Sequence, residues 1–241
     1  MKFPRPLIPA TLVRRYKRFL ADVELPGGAV ATAHCPNPGA MTGLAEPGAR
    51  IWLEPNDDPK KKLKYGWRLV ELPGGALAGI DTGVPNKVVG EALRSSAIEE
   101  LARYPTIAAE VKYGERSRVD FHLSGGDGPP CFVEVKNVHL RRSGTWAEFP
   151  DSVTTRGAKH LRELAREVEA GHRAVMLYIL QRNDCDAMRL AADIDPGYAK
   201  AFDEATARGV ETLVYGTRIS TEGVSIGRRA PFSFEHARRD A

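Results

Sequence analysis

The chain has 241 residues, 42 % of them hydrophobic and 27 % charged, the balance of a soluble globular protein able to bury a sizeable core. No apolar run approaches the roughly 18 residues of a membrane span, and the start Met1-Lys2-Phe3-Pro4-Arg5-Pro6-Leu7 lacks the apolar core and cleavage site of a secretory signal. Three cysteines without CxxC spacing, Cys35, Cys131 and Cys185, argue against a disulfide framework or a zinc ribbon, so the cytoplasm is the expected compartment and no membrane association is expected.

The formal net charge is +4, and its distribution is uneven. Residues 1–83 hold 12 Lys and Arg against 8 Asp and Glu, which leaves 23 of each for residues 84–241. The whole excess therefore lies in the first third of the chain, where it suits either contact with a polyanion or a solvated basic surface.

Residues 1–83 read as short strands over 11–23, 29–33, 49–54, 65–72 and 76–82, separated by Pro/Gly/Asn/Asp turns. Five such strands predict an OB-like small β-barrel. Arg14-Arg15-Tyr16-Lys17-Arg18-Phe19, expected on a strand, and Lys60-Lys61-Lys62-Leu63-Lys64-Tyr65-Gly66-Trp67-Arg68, on a loop entering one, interleave cations with aromatics. Arg14, Arg15, Lys17, Arg18, Lys60, Lys61, Lys62 and Lys64 can track phosphates while Tyr16, Tyr65 or Trp67 stack on bases. For any single aromatic, burial in the core is the simpler expectation. His34-Cys35-Pro36-Asn37-Pro38-Gly39 marks a specially shaped loop rather than a metal site, because adjacent side chains on extended backbone point to opposite faces.

A domain boundary is expected near Gly83-Val84-Pro85. Beyond it, 86–102 reads as a helix with Asn86 as its N-cap, followed by strands over 107–112, 118–123 and 131–140, the first two joined by the turn Tyr113-Gly114-Glu115-Arg116. Residues 151–170 form an amphipathic helix with Val153, Ala158, Leu161, Leu164, Ala165 and Val168 on its apolar face. The continuous apolar run 172–180 is an interior strand, 196–208 a helix and 210–219 a strand. The tail from Arg228 reads as polar and loose. Asp184-Cys185-Asp186 and Asp193-Ile194-Asp195 read as solvated loop and helix-cap residues.

The candidate chemistry lies on the second and third of these strands. Arg118, Asp120 and His122 share one face of the first, and Glu134 and Lys136 share a face of the other, opposite Val133 and Val135. The loop Ser124-Gly125-Gly126-Asp127-Gly128-Pro129-Pro130 turns the chain back antiparallel. If Leu123 pairs with Cys131, Asp120 falls opposite Glu134, with Cβ atoms roughly 4.5–5.5 Å apart. Two carboxylates that close repel unless a cation lies between them. Asp, then Glu-x-Lys, on adjacent strands is the arrangement of a magnesium-dependent phosphodiester-cleaving site.

These residues and the element order resemble the PD-(D/E)XK nuclease superfamily, Asp120 matching its aspartate and Glu134-Val135-Lys136 its (D/E)xK. The Pro-Asp of that motif is reduced here to Val119-Asp120. Across nearly the whole chain the sequence resembles the sugar fermentation stimulation protein A (SfsA) family. The matching segments are Phe3-Pro4 with Leu7, residues 14–19, 33–41, 111–114 and 117–121, Val133-Glu134-Val135-Lys136-Asn137-Val138 and Gly157-Ala158-Lys159-His160-Leu161. The resemblance implies a bacterial or archaeal DNA-binding protein, linked by name to sugar (maltose) metabolism. The fold expected is two-domain α+β or α/β: an OB-like barrel over 1–83 and a restriction-endonuclease-like mixed sheet flanked by helices over 84–241.

In such a site Asp120 and Glu134 would hold Mg²⁺ or Mn²⁺ with the Val135 carbonyl, and Lys136 would position or deprotonate the attacking water. The superfamily's helix-borne glutamate favours Glu91 as third acid, with Glu110 the alternative. Lys159, His160 or Arg156 could reach the phosphate. The competing class is a non-catalytic DNA-binding regulator of sugar genes, although no helix-turn-helix is discernible. An RNA-directed role fits the same clusters, and a homodimer stays open.

Overall fold

The computed structural model describes residues 1–114 and 117–235. The first third holds β1 (Ile8–Tyr16), β2 (Leu20–Glu24), β3 (Val30–His34), β4 (Arg50–Pro55), β5 (Tyr65–Glu71) and β6 (Leu77–Gly79). They lie in the order β3-β2-β1-β4-β5-β6, and a β3–β5 pairing at His34 and Gly66 closes the sheet into a barrel. Closure removes the sheet edges and lets Leu12, Val23, Ile51, Leu53 and Trp67 fill one apolar interior.

The expected strand over 11–23 is two strands. Lys17 and Arg18 take positive φ (48° and 61°), so the chain reverses there and Tyr16 pairs with Leu20. Clustered charges concealed this turn, because it uses neither Gly nor Pro.

The rest of the chain contributes α1 (Val84–Arg94), β7 (Thr106–Tyr113), β8 (Ser117–Ser124), β9 (Cys131–Val138), β10 (Trp146–Phe149), α2 (Thr155–Glu169), β11 (Arg173–Leu180), β12 (Ala187–Leu190), α3 (Pro196–Ala207), β13 (Glu211–Ile219), β14 (Val224–Arg229) and β15 (Phe232–Ser233). Six strands form a mixed sheet in the order β14-β13-β11-β9-β8-β7, with β9, β11 and β13 parallel. A small parallel sheet, β10-β12-β15, lies beside it.

Because β11 is central, its alternate side chains enter two cores. Val175, Leu177 and Ile179 pack with Val88, Val89 and Ala92 of α1. Met176, Tyr178 and Leu180 pack with Leu161 and Leu164 of α2 and Phe202 of α3. Burial on both faces is why this strand reads as a continuous apolar run.

Several boundaries differ from the sequence expectation. Helix α1 starts after Gly83 and ends at Arg94; Ser96 takes φ 54°, and Glu99–Leu101 form a separate 3₁₀ turn. Asn86 is therefore inside the helix rather than its cap. Helix α2 begins four residues later than expected, capped by the Thr154 side chain on Gly157 N–H, and this leaves Val153 outside the helix and 70 % exposed. The tail from Arg228, expected to be loose, takes part in the fold where it is described: Arg228 and Arg229 belong to β14, and Phe232 packs against Tyr178 and Phe202. Two residues of the 113–116 turn and the end of the tail lie outside the described residues.

Asp195 caps α3 on Tyr198 N–H (2.9 Å). Asp184, expected in solvent, is paired with Arg141 and Arg182. Among the described residues no helix is long and apolar enough to cross a membrane.

Candidate active site

The β8–β9 hairpin has the expected register, with Leu123 opposite Cys131 and Phe121 opposite Val133. Past that last pair the ladder is continued by a side chain: Asp120 Oδ2 accepts the Val135 N–H (2.7 Å). Asp120 Oδ1 accepts from Asn86 Nδ2 on α1 (2.6 Å). Asp120 thus ties α1, β8 and β9 together beside Glu134. Opposite it on β7, Glu110 takes φ 54° between the Ala109–Phe121 and Val111–Val119 pairs. Left-handed backbone is costly for a residue with a Cβ, and such strain concentrates at functional sites.

Glu134 is 3 % exposed. Its Oε1 receives Lys136 Nζ (2.7 Å) and His160 Nδ1, while Oε2 is buried with no hydrogen-bond partner. Desolvation pushes this carboxyl upward, but the His160 hydrogen bond and the Lys136 charge outweigh it and hold the group below its ordinary value. Asp120 moves the other way. Burial first, and then the neighbouring Glu134 charge, raise it to about 6.

This donor set can be tested against a divalent cation. Among the described residues no group of three His, Cys, Asp or Glu side chains is arranged to hold a metal ion. Even so, hard cations of the magnesium type use one or two carboxylates and complete their shell with water and substrate phosphate. Two adjacent carboxylates, one with an oxygen buried and unpartnered, fit that need. Asp120, Glu134 and the Val135 carbonyl would be the ligands.

The third acid expected from the superfamily does not join them. Glu91 pairs with the Met1 ammonium (2.6 Å) and is 57 % exposed. Five residues beyond Asn86 on the same helix, it points to a different side. The residue that α1 brings to Asp120 is Asn86, an amide that motif reasoning passed over because it sought a carboxylate. Glu110 instead lines a cleft of about 470 Å³ with Ser117, Arg118, Arg156, Lys159 and His160. His160 itself, expected to reach a phosphate, is 4 % exposed and bound to Glu134. No sequence signal joined it to that residue, since the two lie 26 positions apart.

The barrel's basic residues divide. Arg14 pairs with Asp22 (2.8 Å) and stacks over Tyr16. Arg15 donates to the Asn37 and Gly39 carbonyls (2.8 and 3.0 Å), a structural task. Lys17 and Arg18 are exposed at the hairpin tip. Lys60, Lys61 and Lys62 are exposed on the β4–β5 loop, and Lys64 donates to Asp58 O (3.1 Å). Lys61 and Lys62 line a groove of about 620 Å³ with Arg5, His34, Tyr65 and Arg68. Trp67 is wholly buried, so it stacks on no base. Leu20 pairs with His34 and His34 with Gly66, and this register puts the hairpin tip and the exit of the lysine loop at one end of the barrel.

Comparison with known proteins fits this two-part architecture. Residues 13–80 match the SfsA N-terminal OB domain, and residues 83–223 match the sugar fermentation stimulation protein RE domain. A sugar fermentation stimulation protein homolog from Dinoroseobacter shibae is 68 % identical over 96 % of this chain and 95 % of its own. A homolog from a Jannaschia species is 61 % identical over the whole of both chains. The solved structure of Pyrococcus furiosus SfsA in complex with Ca²⁺ superposes with a TM-score of 0.86 at 27 % identity, covering 97 % of this chain and 98 % of that one. With both domains matched and full-length relatives above 60 % identity, this chain belongs to the sugar fermentation stimulation protein (SfsA) family.

Proposed function

We propose that the protein is a DNA-binding, metal-dependent phosphodiesterase of the PD-(D/E)XK type, with Asp120, Glu134 and Lys136 as its working residues. The observation that carries this reading is the meeting of these three groups at one point, with Glu134 Oε2 buried and unpartnered. A solved relative described in complex with Ca²⁺ supports a hard-cation site in the family. When bound, Mg²⁺ or Mn²⁺ would polarise the scissile phosphate and lower the pKa of a coordinated water. Asp120 and Glu134 hold the acidic cradle, and hydrogen bonds from Asn86, Val135 and His160 fix its oxygens. Lys136, donating to Glu134, places a cation where negative charge grows on the phosphate and orients the attacking water. The exposed cations at one end of the barrel supply non-specific backbone affinity.

The test is cleavage of single-stranded, duplex and branched DNA with Mg²⁺ or Mn²⁺ by the wild type, Glu134→Ala and Lys136→Ala. Each variant should lose at least about 100-fold in rate, the scale of losing an electrostatic or acid–base group, while still binding DNA. The Glu134–Lys136 ion pair also favours a second reading, a non-catalytic DNA-binding regulator of sugar genes in which these charges are structural. Binding without cleavage under either metal would establish that reading and sink ours.

A further inference from the structure

Of the residues lining the cleft beside Glu134, only His160 takes part in the chemistry above. Its walls are Glu110 of β7, Ser117 and Arg118 of β8, and Arg156, Lys159 and His160 from the first turns of α2. Among the described residues its walls carry three cations, Arg118, Arg156 and Lys159, and one exposed acid, Glu110, and the start of a helix adds to the positive potential. Arg118, two residues before Asp120, is exposed and makes no hydrogen bond to any described residue. Ser117 Oγ donates to Glu163 (2.9 Å) and Lys159 lies 3.5 Å from the same carboxylate, so the inner wall is fixed by contacts of its own.

The cleft is wired to the acidic site through His160. Arg156 Nε lies 3.3 Å from His160 Nε2. A guanidinium only donates, so Nε2 must accept, and the proton of a neutral imidazole is then on Nδ1. That Nδ1–H donates to Glu134 Oε1. Lys136 Nζ, 3.4 Å from the same nitrogen, is a contact and not a hydrogen bond, because both atoms carry protons. Two partners therefore dictate the tautomer of His160, while Arg156 itself is exposed and lines the cleft.

We propose that this cleft is a subsite for a nucleic-acid phosphate flanking the scissile one, gripped by Arg118 and Arg156, and that His160 is a positioning residue linking that grip to Glu134. The proposal rests on the nuclease reading for the identity of the neighbouring site, but its binding half holds without metal or cleavage. A phosphate on Arg156 leaves Nε on His160 and so keeps the Nδ1–H aimed at Glu134.

The binding half is tested in EDTA with a single-stranded oligonucleotide across a salt series. Replacing Arg118 and Arg156 together with Ala should weaken affinity about tenfold or more, and should lower the slope of log K against log salt by about 0.7 for each lost contact. Lys200→Ala, at an exposed lysine of α3 that does not line the cleft, should change neither. The positioning half uses Ca²⁺ as probe in calorimetry. His160→Ala should weaken Ca²⁺ binding about tenfold while leaving the salt slope unchanged, and His160→Asn, whose amide N–H replaces Nδ1–H, should recover most of that loss. An unaltered slope in the folded double arginine variant overturns the subsite, and wild-type Ca²⁺ affinity in His160→Ala overturns the positioning role. A wild type that cleaves nothing but shows the arginine effect would refute the nuclease reading alone, so the two failures are separable.

Discussion

Asp120 shows how burial is balanced against chemistry at a single residue. Its folded carboxyl is raised to about 6, by desolvation first and the Glu134 charge second, whereas an unfolded aspartate titrates near 3.9. The folded chain therefore holds this proton more tightly. Stability falls as pH rises from about 4 to about 6, and above that the full cost of about 3 kcal/mol is present in metal-free protein. Asp120→Asn removes the charge and keeps an oxygen for the Val135 N–H, while the Asn86 amide can turn to meet the new NH₂. In EDTA at about pH 7.5 the variant should melt several degrees higher than wild type, with the gap closing toward about pH 4. No rise in Tm at neutral pH would show that Val135 and Asn86 already offset the buried charge. Asp120, Glu134 and Lys136 were legible in the sequence because strand alternation and one hairpin register fix which side chains are neighbours. The Asn86 and His160 contacts were not, since each crosses from a helix to the sheet and no local period encodes the crossing.

At the scale of elements, the β1–β2 hairpin shows how one charge run divides into separate tasks. Arg15 bonds two carbonyls of the loop after β3, whereas Lys17 and Arg18, forced into positive φ, are exposed at the tip. Arg15→Ala should cost about 1–3 kcal/mol in urea denaturation, because charge-assisted bonds to buried carbonyls are lost. The Lys17→Ala, Arg18→Ala pair should change stability by no more than about 0.5 kcal/mol and flatten the salt dependence of DNA binding. A destabilised tip variant with an unchanged slope would assign these cations to the fold instead. The turn itself was hidden because charged residues occupy positions where Asn-Gly would have announced it.

Across the whole molecule, the loop over 36–41 docks the barrel on the second domain. Asn37 is wholly buried; its Nδ2 donates to Ile80 O (3.1 Å) and its Oδ1 accepts from Gly39 N (2.8 Å). The loop shape is thus preset, and Ala40 N–H meets Asp151 Oδ2 (3.0 Å). From there a single file of hydrogen bonds runs through His139 and Asn137 to Gln181. Asn137 and Gln181 lie at the carboxyl ends of the parallel strands β9 and β11. Gln181 also donates to Asp81 O (3.2 Å), so the barrel's exit is pinned at the same place. Asp151 leaves no room for a Cβ on Gly39, and Gly39→Ala should destabilise the protein by about 1–3 kcal/mol in urea through the lost docking bonds. A loss below about 0.5 kcal/mol would mean that the junction gives way at no cost.

The sequence by itself determined the elements whose neighbours are local. These are the barrel strands between Pro/Gly turns, the doubly apolar β11, the amphipathic α2, and the Asp120, Glu134, Lys136 constellation across one hairpin. Residue periodicity and turn chemistry act over a few positions, and that range suffices for such features. Only the tertiary structure decided that Glu91 faces the N-terminus, that His160 bonds to Glu134, and that a proline-rich loop meets Asp151 of the second domain. Those outcomes depend on which helix face meets the sheet and how the barrel seats on the strand ends, and packing of distant segments sets both.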